Sequence, residues 1–227
     1  MNNVISRKFI QRKQCWIPTL YGWLIILVGF LVSMILFILS IHPFLAIDQP
    51  VQGDILVVEG WLPKNALKKA VEEFEMGEYH LLVTTGGPIP LDSHMTERFP
   101  DIKSYAEISA SVLITMGIEK NKIIAVSSPL VERNRTYSTA IALRNWLLNN
   151  MQSSEISINI FSLGPHARRT RLLFDMALGD IVNIGIIATD NINYNANRWW
   201  KSSTGVRTII GELISYIYVK IFFNPKI

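Results

Sequence analysis

The chain has 227 residues, enough for one ordinary domain with an appendage. Its net charge of +4 is too small and too scattered to predict nucleic-acid binding, and the 49% of hydrophobic residues can supply a sizeable core. The single cysteine, Cys15, excludes both a disulfide framework and a cysteine-based zinc site.

The most apolar stretch lies near the N-terminus. Residues 20–41 read LYGWLIILVGFLVSMILFILSI and carry no charge. About 20 apolar residues cross the hydrocarbon core of a bilayer, so this stretch predicts one transmembrane helix. A buried core helix is the alternative, but it would show polar positions at every turn, whereas here Ser33 and Ser40 stand almost alone.

The charges around this stretch predict its orientation. Four basic residues precede it: Arg7, Lys8, Arg12 and Lys13. The next lysine or arginine is Lys64, so we expect residues 1–19 to be a cytoplasmic tail and the rest to lie outside. A cleaved signal peptide is a rival interpretation. The stretch is longer than a signal core and lacks a small-x-small cleavage site, which favours an uncleaved anchor.

Beyond the span, short apolar runs alternate with helical patterns. The runs DILVVEG, HLLVTTGG, KIIAVSS, ISINIFSLG and IVNIGIIAT predict five strands, and residues 64–76, 103–117, 136–148 and 168–178 predict the helices between them. Strands that are apolar throughout and separated by helices indicate a mostly parallel sheet covered on both faces. We therefore predict an open, doubly wound α/β domain over residues 48–203.

The C-terminal residues 204–227 are apolar but include Glu212 and Lys220. A second membrane segment would place these charges at high cost in the bilayer centre. We expect instead a helix that docks on the domain or lies on the membrane surface.

Ligands of such sheets bind beyond the carboxyl ends of the strands. Gly86 and Gly87 follow the second strand there and let a ligand approach the backbone. In GPHARRTRLLF, His166 and Arg169 are three residues apart at the start of a helix, where free N–H groups form a natural anion site. The alternatives are a solvated arginine and a structural histidine.

A second basic segment, VERNRTYSTA, follows the third strand and opens on the same edge. Asn134, Arg135 and Thr136 are therefore candidate ligand-binding residues, since arginine suits phosphate or carboxylate. Asn134 or Thr136 could equally cap the next helix, and Arg135 could be a surface charge.

Two carboxylates are candidates for a general acid or base: Glu59 at the end of the first strand, and Glu107 in the helix after the long loop. A solvated helix face is the alternative for Glu107. Asp92, His94 and Glu97 resemble a metal cluster by composition alone, so we assign no metal. The sequence lacks the nucleophile-elbow motif G-x-S-x-G, the dinucleotide-binding motif G-x-G-x-x-G and a P-loop. The cofactor of the protein is therefore unknown.

The ordered motifs DILVVEGW, VTTGG, ERNRTYSTA and GPHARRTRLLF resemble the bacterial domain family of YdcF, SanA and ElyC over about residues 54–188. The resemblance implies a Rossmann-like fold, attachment to the bacterial inner membrane and a role in envelope or lipid-carrier metabolism. The family pattern matches this chain at these positions: Gly86, Gly87, Glu107, Asn134, Thr136, His166 and Arg169. Because VVEGW replaces a glycine-rich turn and Arg135 splits the Asn-Thr pair, we expect a ligand that differs from those of other members.

Two functions remain open. The first is an envelope enzyme acting on a phosphorylated substrate, with Glu59 or Glu107 as acid or base, His166 as proton donor or phosphate ligand, and arginines neutralising charge. The second is a non-catalytic module that binds a nucleotide-like ligand or an anionic lipid. A third interpretation is a purely structural role, which would need the anchor but would tolerate loss of all the residues at the sheet edge.

Overall fold

The computed structural model describes residues 16–90, 101–151 and 156–225. The basic residues predicted to be cytoplasmic, and the loop residues Asp92, His94 and Glu97, lie outside the described residues. The chain forms two compact units, Met1–Leu39 and Ser40–Ile227.

The first unit contains most of helix α1, Leu20–Leu45. Its side chains are exposed almost throughout, and it is long and apolar enough to cross a membrane. A core helix of a soluble protein would be buried, whereas a signal sequence would share these features. The helix runs four residues past its predicted end at Ile41, and Ile41 and Leu45 in its last turns are buried within the second unit.

The second unit is built on one five-stranded sheet, as predicted. Its strands are β1 Ile55–Glu59, β2 Leu81–Gly86, β3 Ile123–Ser127, β4 Ile156–Leu163 and β5 Val182–Thr189. All neighbouring strands are parallel, in the order β3-β2-β1-β4-β5. The order reverses between β1 and β4, which makes the gap beyond their carboxyl ends the topological switch point.

Helices cover both faces of the sheet, since each parallel connection needs a crossover. They are α2 Lys64–Met76, α3 Tyr105–Thr115, α4 Arg135–Asn150 and α5 Ala167–Leu178. One apolar core lies under α2 and α3, and a second lies under α4 and α5. Helix α6, Ser203–Phe222, follows the last strand and packs on α5.

The glycines Gly60 and Gly86 allow α3 to begin directly on the edge of the sheet. A Cβ atom would lie 2.6 Å from the Tyr105 carbonyl oxygen at Gly60, and 2.8 Å from the Ala106 nitrogen at Gly86. These distances are too short for real contacts, so larger residues would push α3 away. Close packing therefore accounts for Gly86, which the sequence had pointed to as a ligand contact.

Candidate functional site

A cavity of about 670 Å³ opens beyond the carboxyl ends of the strands. It lies at the switch point between β1 and β4, where the fold class places ligand sites. Residues from six segments line it, among them Glu59, Thr85, Gly86, Gly87, Tyr105, Ser128, Glu132, Arg135, Thr136, His166, Arg169 and Glu212. Distant parts of the chain therefore meet around one cavity.

Glu59 is a carboxylate in the interior of the protein. It ends β1 with 4% of its surface exposed, although the four residues before it are apolar. Ser162 at the end of β4 donates a hydrogen bond to its Oε2, and Thr170 of α5 donates to its Oε1 at 3.4 Å. A buried carboxylate is costly without such partners. The two hydroxyls, supplied from across the switch point, hold Glu59 in place.

His166 lies between two carboxylates. Its Nε2 is 3.5 Å from Glu59 Oε1, which is an ion-pair distance longer than a good hydrogen bond. Its Nδ1 is 2.9 Å from Oε1 of Glu212, which α6 contributes. The Trp61 ring meets the imidazole edge-on, with the ring centroids 5.0 Å apart. A carboxylate oxygen therefore lies near each imidazole nitrogen, and an Arg169 Nη lies 2.9 Å from Nδ1 as well.

Arg169 binds the same glutamate with two nitrogen atoms. Its Nε donates to Glu212 Oε2 at 2.9 Å, and one Nη donates to Oε1 at 3.2 Å. Such a fork is the strongest common geometry between arginine and a carboxylate. The predicted basic pair His166 and Arg169 does lie together, and an internal carboxylate is already bound to it.

The charges of this cluster stabilise one another. Burial lowers the pKa of His166, but the Glu59 charge and the bond to Glu212 outweigh it and raise that pKa to about 9. Burial raises the pKa of Glu212, yet bonds from His166 and Arg169 lower it to about 2. Burial also raises the pKa of Glu59, and the His166 charge reverses the direction, so its net shift is downward. At neutral pH all three groups are charged.

The second basic segment has a different environment. Arg135 begins α4, is exposed, lines the cavity and forms no ion pair with any residue that the structure describes. Thr136 also lines the cavity. Asn134 is outside the lining; it takes the left-handed conformation with φ 57° and occupies the cap position, without a side-chain capping bond among the described residues. The first amides of α4 lack partners within the helix and lie beside Arg135.

Two buried polar atoms at the cavity have no hydrogen-bond partner in the described part of the chain. They are Thr85 Oγ1 and His166 Nε2. Thr85 is 1% exposed, and Gly87 beside it has room for a contact, since a Cβ there would only touch Ser128 Oγ at 3.5 Å. Unsatisfied buried polar atoms are rare in native proteins, and a bound ligand is one explanation for them.

Glu107 is not part of the cavity lining. Its carboxylate accepts a hydrogen bond of 2.8 Å from the Lys103 backbone N–H, and its own N–H donates to Ser104 Oγ at 3.2 Å. This is a variant of the capping box, which closes the first turn of α3. The spacing Ser104-x-x-Glu107 carried that signal in the sequence. The geometry gives Glu107 a structural role, and of the two predicted carboxylates Glu59 is the one that lines the cavity.

Glu212 belongs to the site, although in the sequence it stands out only as a charge unsuited to a membrane. The available signal was a single acidic residue in an otherwise apolar helix, since such a residue needs a basic partner when buried.

Among the described residues, no group of three or more histidine, cysteine or acidic side chains is arranged to hold a metal ion.

No protein-family model matches the sequence, and none of the curated proteins does.

Proposed function

We propose that this protein is a membrane-anchored envelope protein that binds a phosphorylated or otherwise anionic ligand in the cavity beyond the carboxyl ends of the strands. The lipid phosphate of a carrier lipid and a phosphosugar are ligands of this class. The resemblance to the YdcF, SanA and ElyC family agrees with this function.

The observation that carries the proposal is Arg135 beside the first turn of α4. Lining the cavity are Arg135, Arg169 and protonated His166, together with Glu59, Glu132 and Glu212, so the formal charges cancel. The net charge therefore does not attract the anion; Arg135 does, because it is the lining cation that has no ion pair among the described residues. The amides of α4 add donors and the positive end of a helix dipole.

The Glu59–His166 pair supplies proton transfer to the same ligand. His166 is held as an imidazolium by Glu59 and Glu212, so it can donate a proton from Nε2 to a leaving oxygen. Glu59 can accept a proton from an attacking water or hydroxyl. The alternative, binding without turnover, needs the arginine and the amides but not this pair.

Titration of the full-length protein in detergent with farnesyl phosphate tests the binding step. We expect Arg135→Gln to weaken binding by about ten- to hundredfold, because a charge-assisted hydrogen bond is worth about 1.5 to 3 kcal/mol. Arg133→Gln is the matched control, since Arg133 is exposed on the same loop and does not line the cavity. Equal affinities of the two variants would refute the proposed anion site.

Release of phosphate from the same ligand separates the two functions. If the protein is an enzyme, Glu59→Gln and His166→Asn abolish release while Arg133→Gln retains it. Saturable binding with no release by the wild-type protein would identify a binding module instead.

We further propose a single-pass topology in the bacterial inner membrane, with the N-terminus inside. Cys15 is the natural reporter because it is the sole cysteine and precedes the span. A membrane-impermeant maleimide should leave Cys15 unlabelled in intact spheroplasts and should label Lys120→Cys in a Cys15→Ser background. The opposite pattern would reverse the orientation.

A further inference from the structure

Helix α6 has an outer face that is apolar and exposed. Five side chains on it are between 38% and 66% exposed: Val206, Ile210, Ile214, Ile217 and Ile221. At 3.6 residues per turn they fall within an arc of about 80° along the whole helix. The inner face, which includes Gly205, Ile209 and Val219, is buried against the domain. The helix is therefore apolar on two sides, and the protein covers one of them.

The charges on α6 border this outer face. All 20 residues of the helix are described, and its charged residues are Arg207, Glu212 and Lys220. Glu212 is turned inward to His166 and Arg169. By helical periodicity, Arg207 and Lys220 fall on opposite sides of the apolar arc, and both are exposed. Apolar side chains flanked by basic ones are the pattern of a helix that lies in the interface of an anionic membrane.

The end of α1 contacts α6 within the second unit. Phe44 and Tyr216 pack edge to face with centroids 5.6 Å apart, and the Arg168 guanidinium lies 4.0 Å from the Phe44 ring centroid. Arg168 Nε also donates to the Phe44 carbonyl oxygen. The residues that directly follow the apolar span in the sequence therefore contact α6 within the second unit.

From this juxtaposition we infer that the outer face of α6 lies in the surface of the same bilayer that α1 enters. The inference rests on the proposed membrane attachment of α1. The partner is an anionic lipid surface, because the outer face combines apolar side chains with flanking Arg207 and Lys220. Since the inner face carries Glu212 into the cavity, α6 forms one wall of the site and also its contact with the bilayer.

Fluorescence quenching in nanodiscs tests this contact in the full-length protein. Bimane is attached to Ile214→Cys, Val28→Cys or Lys120→Cys, each in a Cys15→Ser background. The nanodiscs contain phosphatidylglycerol and phosphatidylcholine, with doxyl-labelled phosphatidylcholine as the quencher. We expect the label at position 214 to lose fluorescence as the label at position 28 in α1 does. The label at Lys120, an exposed residue at the opposite edge of the sheet, should keep its fluorescence.

The labels at positions 28 and 214 distinguish a failure of the α6 inference from a failure of the proposed membrane attachment of α1. Quenching at position 28 without quenching at 214 would leave the span in place and overturn the inference. Quenching at neither position would overturn the membrane attachment itself. A blue-shifted but unquenched label at 214, together with cross-linking between chains through that cysteine, would assign the outer face to a second copy and also overturn the inference.

Discussion

The segments 131–136 and 164–169 carry similar positive charge and open on the same cavity, yet their environments differ. In the second segment, His166 and Arg169 are bound to Glu212 from a helix more than 40 residues away. In the first, Arg135 has no acidic partner among the described residues. The difference teaches that an internal carboxylate can neutralise basic residues near a helix start, which is why the proposed anion site rests on Arg135 and not on Arg169.

The largest expected effect comes from removing the carboxylate that neutralises the second segment. Glu212→Ala leaves His166 and Arg169 partly buried without their partner, which should cost about 3 to 5 kcal/mol of unfolding free energy. Urea unfolding of the protein in micelles, monitored by tryptophan fluorescence, measures this loss of unfolding free energy. The control is Arg207→Ala, an exposed site on the same helix, which should change stability by about 0.5 kcal/mol or less. Equal losses of unfolding free energy in Glu212→Ala and Arg207→Ala would contradict the idea that Glu212 neutralises the second segment.

The same network should make stability depend on pH. The pKa of His166 rises from 6.5 to about 9 on folding, so its contribution is fully present below pH 6.5 and disappears as the pH rises through 9. The loss is on the order of 3 kcal/mol, since each pKa unit between 6.5 and about 9 is worth about 1.4 kcal/mol. Unfolding of the wild-type protein and of His166→Asn should therefore converge above pH 9. Parallel pH profiles of the two proteins would contradict the pairing.

Glu107 provides a test of an intermediate size. Glu107→Ala removes a capping interaction of α3 and should cost about 1 kcal/mol of unfolding free energy, with ligand affinity unchanged. Glu72→Ala, at an exposed position of α2, serves as the stability control. If Glu107→Ala lost ligand binding while its stability was unchanged, Glu107 would be part of the ligand site.

The smallest effect on stability is expected at Arg135. Arg135→Gln should shift the free energy of unfolding by about 0.5 kcal/mol or less, because its side chain is exposed and has no ion pair in the described part of the chain. Arg169→Gln in the same assay should destabilise the protein severalfold more, because Glu212 then loses a partner in a partly buried site. Similar losses for the two arginines would mean that Arg135 has a structural partner too.

The sequence alone determined the fold because hydrophobic periodicity is a local property. Apolar runs and helical spacing located all five strands and the helices between them to within a few residues, and strands apolar on both faces indicated a parallel sheet. The parallel sheet then brought Glu59, Arg135 and His166 to one edge. The long apolar helix over residues 20–41 was equally readable, and the structure has there a helix long and apolar enough to cross a membrane.

Only the tertiary structure decided which charges neutralise one another. The partner of Arg169 lies in α6, and nothing in the local pattern around residue 212 specifies where that helix docks. The roles of Glu59 and Glu107 likewise separated only when one carboxylate was buried at the switch point and the other capped α3. Pairing between charges depends on distances of a few ångströms between segments far apart in the chain, whereas the periodicity that builds strands and helices depends only on neighbours.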